Sequence, residues 1–221
     1  MSRPPNNQLL VFDMDGVLVE VTDSYRETII RTVEHFTRQL ITREQIQDYK
    51  NQGGWNNDFA LSQKICSDLG VNVDYRTIVE HFNWLFLDQG LIHRERWLPR
   101  DGLLDRLSAK FELAIFTGRS MLEAEITLGR EKVRDRFLLL TSDDVEQGKP
   151  APDGLLKIAA LRPEKKLLYV GDTVDDARCA RAANVPFIGI AAPATPLRDK
   201  LLDLFHNEGA IQVLGDINEI G

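Results

Sequence analysis

Apolar positions along the chain follow two rhythms. Leu9, Leu10, Val11 and Phe12 form a short unbroken apolar run that ends in Asp13, Asp15 and Gly16, the pattern of a buried strand delivering acidic residues to its C-terminal edge. The same shape recurs at residues 113–116 before Thr117-Gly118-Arg119, at 137–140 before Thr141-Ser142-Asp143-Asp144, and at 167–170 before Gly171-Asp172. Residues 187–190 supply one more strand. Helix-like stretches at 103–109, 120–130, 154–161 and 175–183 separate these runs, so strand and helix alternate as in βαβ units. The alternation predicts an α/β protein with a Rossmann-like parallel sheet covered on both faces. Ligands bind such sheets outside the carboxyl ends of the strands, where the acidic and threonine tips would gather.

From about residue 20 to 98 the rhythm changes. Tyr25, Ile29, Val33, Phe36 and Leu40 recur at helical spacing, as do Leu61, Ile65 and Leu69, then Ile78, Phe82 and Leu85, with no strand evident among them. This predicts an all-helical insert at 20–98 within a core made of 1–19 and 99–221. The glycine pair in Gly53-Gly54-Trp55-Asn56-Asn57-Asp58 interrupts the insert. Either it ends one helix while Asn57 or Asp58 caps the next, or the loop presents Trp55, Asn56 and Asn57 to a substrate as specificity residues. Trp84, among Phe82, Leu85 and Phe86, reads as core.

Composition narrows the function. The 221 residues are 43% hydrophobic and 28% charged, ordinary for a globular protein. A net charge of -7 argues against a broad nucleic-acid surface, which needs a basic stripe. The first seven residues lack an apolar leader and the long apolar runs are broken by charges, which argues against secretion and membrane spanning. Cys66 and Cys179 are far apart and in no metal spacing, so they read as packing residues in a reducing, cytoplasmic setting. His35, His81, His93 and His206 are scattered and read as surface or packing residues.

Two aspartates two residues apart beyond a strand could be a nucleophile and an acid-base group, or simply turn chemistry. The wider set is more specific: Asp13-Met14-Asp15-Gly16-Val17-Leu18, Thr117-Gly118-Arg119 at a strand end, Lys149-Pro150, and Gly171-Asp172-Thr173-Val174-Asp175-Asp176. In that order and spacing the chain resembles the haloacid dehalogenase-like hydrolases, in the phosphatase branch with a C1-type helical cap, similar to phosphoglycolate phosphatase and beta-phosphoglucomutase. The resemblance implies hydrolysis of a small phosphorylated metabolite through an aspartyl-phosphate on Asp13, with Asp15 as general acid and base. It assigns Mg²⁺ to the Asp13 carboxylate, the Asp15 backbone carbonyl and Asp172, and makes Asp176 a support that orients a metal water or Lys149. Thr117, with the N–H groups of Gly118 and Arg119, and Lys149 would bind the phosphoryl group. Asp175 stands at a variable position and could cap a helix. Thr-Gly-Arg departs from the Thr-Asn or Ser-Asn frequent at the second motif, and leaves the Arg119 side chain without an assigned role. An intramolecular sugar-phosphate phosphomutase would use the same core residues, and a slow binding or regulatory module would keep the fold. The cap would move on linkers at 17–23 and 91–100.

Overall fold

A computed structural model describes residues 7–221; residues 1–6, the beginning of the expected core and of the stretch read as lacking a leader, lie outside them. In chain order the elements are β1 (Gln8–Phe12), β2 (Val19–Glu20), α1 (Tyr25–Thr37), α2 (Arg43–Gln52), α3 (Asp58–Asp68), α4 (Tyr75–Asn83), β3 (Arg96–Trp97), α5 (Leu103–Lys110) and β4 (Glu112–Phe116). Then follow α6 (Met121–Arg130), β5 (Leu138–Leu140), α7 (Asp153–Leu161), β6 (Lys166–Gly171), α8 (Val174–Ala182), β7 (Phe187–Ile190), α9 (Arg198–Asn207) and β8 (Gln212–Leu214).

Six strands form one parallel sheet in the order β5-β4-β1-β6-β7-β8. The chain runs outward from β1 through β4 to β5, then returns to lay β6, β7 and β8 on the other side. β1 therefore sits at the topological switch point, where the crossover loops part and leave a crevice. Phe12 pairs with Ile115 of β4 and Val170 of β6, so the three strands end level and place Asp13, Thr117 and Asp172 along one edge. Alternation along β1 divides the interior. Leu10 and Phe12 join one buried apolar cluster with the helices of residues 25–88, whereas Leu9 and Val11 join another with α7, α8 and α9.

The helical stretch forms as the periodicity predicts, with two corrections. Helix α1 stops at Arg38, whose left-handed backbone (φ 60°) turns the chain, so Leu40 falls off the apolar face and is 75% exposed. Trp84 is not core: it is 46% exposed, in a π-helical turn at Trp84–Asp88 that shifts the register after α4, and it packs on His81. Two short strands also lie at the borders of the insert. Antiparallel β2 and β3 pair Val19 with Trp97 and Glu20 with Arg96, joining the two connections between the helices and the sheet. Leu91, Ile92, Leu201 and Phe205 are all buried and belong to the interior.

Candidate active site

The loop after β1 is shaped around its neighbour on β6. Gly16 has φ +70°, and a Cβ there would lie 1.9 Å from Asp172 Oδ2, so the turn can close over Asp172 only with glycine. Asp13 and Asp172 thereby face each other, and Asp13, Asp172 and Asp176 have carboxylate oxygens within 4.8 Å of one another. Lys149 is buried between two of them, its Nζ 2.9 Å from Asp13 Oδ1 and 2.7 Å from Asp176 Oδ1.

The three acids are not equivalent. Asp176 is saturated: Oδ1 accepts from Lys149 Nζ and from the Tyr169 hydroxyl (2.7 Å), and Oδ2 accepts from the Thr173 N–H (3.0 Å) and hydroxyl (2.6 Å). Burial pushes its pKa up, but Lys149 and these donors outweigh burial and hold it below the usual carboxylate value. Asp172 is the opposite case. Its Oδ1 is buried with no hydrogen-bond partner among the described residues, and burial, reinforced by Asp176 and Asp13, pushes its pKa well above the usual range. Burial also pushes Asp13 up to about 7, against the pull of Lys149 and with Asp176 and Asp15 adding to the rise. One lysine thus pairs with two of three clustered carboxylates, Asp13 and Asp176, and the third keeps an orphaned buried oxygen. A small hard cation is what such an all-oxygen donor set suits, and Asp13 and Asp172 have the free lone pairs to hold it.

Asp15, two residues beyond Asp13, is partly exposed, and its Oδ1 accepts from Arg119 Nε (2.8 Å) and Nη2 (2.5 Å). Arg119 is buried and also reaches Glu95 and Thr127, with its guanidinium 4.9 Å from the centre of the Tyr25 ring. Its side chain therefore points along the Asp15 side of the loop, and its own N–H donates to Thr117 Oγ1 (3.2 Å). Thr117 is buried at the end of β4, with Gly118 beside it exposed.

A cavity of about 330 Å³ opens over this edge, lined by Asp13, Asp15, Gly118, Arg119 and Asp172 below and by Tyr25, Arg26, Lys50, Asn56, Asn57 and Phe82 from the helices above. Thr117, Lys149 and Asp176 are buried and are not among its lining residues. A Cβ on Gly118 would lie 2.5 Å from Asn56 Nδ2, so Asn56 hangs directly over the loop that follows β4. Both readings of the glycine-bent segment hold in part: Gly53 ends α2, Asn57 caps α3 by accepting from the Ala60 N–H (3.0 Å), and Asn56 and Asn57 also line the cavity. Trp55 does not. It packs edge-to-face on Tyr49 (6.3 Å) among the apolar residues of the insert, where the ring gains more from burial than at the polar cavity.

Several residues of this arrangement had no signal in the sequence. Tyr169 lies mid-strand in β6, and only its fully buried hydroxyl beside Asp176 distinguishes it from the apolar residues around it. Glu95, in an Arg-Glu-Arg run, reads as solvated yet is buried. Asp175 accepts the Gly54 N–H on both oxygens (2.7 and 3.0 Å), tying the Gly-Gly loop to α8, and Arg178 Nη1 donates to the Gln52 carbonyl (3.1 Å) beside it. Cys66 and Cys179 are buried free thiols, which burial pushes up to about 11 and about 12, consistent with packing rather than nucleophilic roles.

A six-stranded parallel sheet with an acidic cluster at its switch point, under a helical insert, defines a class of α/β proteins with a carboxylate-lined site at the sheet edge. The family model of haloacid dehalogenase-like hydrolases matches residues 10–190, and the chain belongs to that family. The chain is similar to the imidazoleglycerol-phosphate dehydratase of Phytophthora nicotianae, 33% identical over 201 residues; the match covers 85% of this chain but 44% of that protein. It is 22% identical over 197 residues to the phosphoglycolate phosphatase of Pseudomonas syringae pv. tomato, covering 83% of this chain and 69% of that one. Among solved structures, a conserved haloacid dehalogenase-like protein of Agrobacterium tumefaciens superposes with a TM-score of 0.76 at 20% identity, covering 96% of this chain and 95% of that one. No helix among the described residues is long and apolar enough to cross a membrane.

Proposed function

We propose that this enzyme is an Mg²⁺-dependent phosphatase of small phosphomonoesters that works through an aspartyl-phosphate on Asp13. The observation that carries the reading is the pairing of a lysine-clamped Asp13 with an Asp172 oxygen at the switch point that has no hydrogen-bond partner among the described residues. Asp13 is the nucleophile. Asp13, the Asp15 backbone carbonyl and Asp172 would hold Mg²⁺, which when bound neutralises charge between the carboxylate and the phosphate dianion. Lys149 adds fixed positive charge at Asp13, and Asp176, with both oxygens occupied by donors, holds Lys149 in place rather than serving as a ligand. Thr117 and Gly118 frame the phosphoryl oxygens at the end of β4, ahead of α6.

Asp15 protonates the leaving alcohol and afterwards takes a proton from the water that cleaves the aspartyl-phosphate. Residues 20–98 form a cap over the cavity, with Asn56 and Asn57 facing the substrate. The names of the relatives support a small substrate: phosphoglycolate and imidazoleglycerol phosphate are both small phosphate compounds. The buried free thiols fit a cytoplasmic enzyme. Hydrolysis of p-nitrophenyl phosphate with and without Mg²⁺, with Asp13→Asn as control, tests the reading. Release that requires both the metal and Asp13 supports it, and release unaffected by either contradicts it. Product analysis on a phosphorylated sugar distinguishes release of inorganic phosphate from transfer within the sugar.

A further inference from the structure

An arginine beside a phosphate-binding loop would ordinarily be taken for a phosphate clamp, because its planar fork matches phosphate oxygens. Here the donors of Arg119 are already engaged. Nε and Nη2 converge on Asp15 Oδ1 at 2.8 and 2.5 Å, Nη2 also meets Glu95 Oε1 at 2.8 Å, and Nη1 donates to Thr127 Oγ1 at 2.8 Å. The far side of this group is anchored in turn. Glu95 Oε2 accepts from Thr127 Oγ1 (2.7 Å) and from Arg130 Nη2 (3.2 Å), and the Arg119 and Glu95 side chains are 1% and 0% exposed. An isolated buried charge would be costly, but here carboxylate and guanidinium alternate from Asp15 through Arg119 and Glu95 to Arg130.

We propose that Arg119, anchored by Glu95, is a positioning residue that fixes the general acid Asp15 by one oxygen and so selects the other oxygen for proton transfer. The inference rests on the phosphatase reading above. Its stereochemistry follows from the donor inventory: a guanidinium has only N–H donors, so Oδ1, which faces two of them, is a poor place for a proton. Both donors fall on Oδ1, and no other hydrogen bond to the Asp15 carboxylate is found among the described residues, which leaves Oδ2 to carry the proton on a residue that lines the cavity. In the first step an Asp13 oxygen bonds to phosphorus, the ester P–O bond breaks, and the Oδ2 proton goes to the leaving oxygen. In the second step water attacks phosphorus, its proton goes to Oδ2, and the Asp13–phosphorus bond breaks. Because Glu95 immediately precedes β3, the place of the acid is set jointly by the loop after β4 and by the second connection to the helical insert.

The test compares two esters that differ in their need for a proton. Nitrophenolate leaves without one, whereas the alkoxide of glycerol 2-phosphate does not. Wild type, Arg119→Met, Arg119→Lys and Glu95→Gln are assayed for kcat/KM on both, with Asp13→Asn as the reference for covalent chemistry. A positioned general acid contributes on the order of 10²- to 10⁴-fold, so Arg119→Met should lower the alkyl-to-aryl ratio by about tenfold or more. Arg119→Lys, unable to grip Oδ1 with two donors and the Thr127 hydroxyl with a third in the same plane, should restore only part of the ratio. Glu95→Gln keeps the arginine and the packing and should show a smaller loss of the same selective kind, so it decides the matter if Arg119→Met does not fold. Equal loss on both esters in Arg119→Lys and Glu95→Gln overturns the positioning role while leaving the phosphatase reading intact. Wild type that hydrolyses neither ester, or hydrolysis that survives in Asp13→Asn, overturns the phosphatase reading and the positioning role together.

Discussion

Asp176 accepts four hydrogen bonds on its two carboxylate oxygens, while Asp172, four residues earlier, keeps a buried oxygen that nothing among the described residues satisfies. This contrast separates support from ligation. Asp176→Asn would place an amide N–H₂ against Lys149 or Thr173 and release the lysine. Turnover should fall about 10- to 100-fold with the Mg²⁺ dependence of activity preserved, because the support is lost while the ligands remain. Titration of initial rate against Mg²⁺ checks this. Asp172→Asn should instead raise the Mg²⁺ concentration needed for half-maximal activity; an unchanged value would contradict its role as ligand. Asp13, Asp15, Lys149, Asp172 and Asp176 could be read in the sequence because each stands just past a buried strand or in a short motif. Tyr169 could not: within Leu-Leu-Tyr-Val-Gly the ring satisfies the apolar pattern, and only the tertiary fold shows that its hydroxyl meets Asp176. Glu95 was hidden for the opposite reason, since flanking arginines made it look solvated.

Among the elements, the parallel strands were legible because strands buried on both faces read as unbroken apolar runs. Strands β2 and β3, two residues each, are too short for any period to register. The α9–β8 unit carries no such signal: Leu201 and Phe205 are apolar, but one helix turn of such residues serves a core or an interface equally well until the sheet is seen to extend to β8. The turn after β1 gives a sharp prediction. Gly16→Ala demands φ +70° of an L-residue and drives its Cβ onto Asp172 Oδ2, so the loop must move away from the acid edge. Mg²⁺ affinity should weaken roughly 10- to 100-fold, read by calorimetry or by the metal dependence of turnover; normal affinity would mean that the turn does not shape the site. The link from α8 to the insert makes a different prediction. Asp175→Ala frees the Gly54 N–H and should raise KM with little change in kcat, while increasing protease cleavage near residues 52–54, because the loop bearing Asn56 loses its tether. Unchanged KM and cleavage would show that the tether is dispensable.

For the whole molecule, the acidic cluster links folding to protons and metal. Burial raises Asp13 from 3.8 in the unfolded chain to about 7 in the fold, and raises Asp172 as well. Between about pH 4 and 7 the metal-free fold therefore holds protons that the unfolded chain has released, so this contribution to stability is present at the acidic end and is lost as pH rises. A bound cation needs the carboxylates ionised, so stabilisation by Mg²⁺ should grow over the same range. Thermal melts of wild type and Asp13→Asn with and without Mg²⁺ check this. The pH-dependent loss in the metal-free protein should be smaller in the variant, and equal slopes would place the coupling elsewhere. The covalent intermediate is the central claim, and acid-quenched mass spectrometry of the enzyme during turnover of a phosphomonoester tests it most directly. The Asp13 peptide should carry the mass of one phosphoryl group, and the adduct should disappear in Asp13→Asn. Sustained hydrolysis by wild type with the Asp13 peptide never modified, under quenching that preserves acyl phosphates, would contradict it.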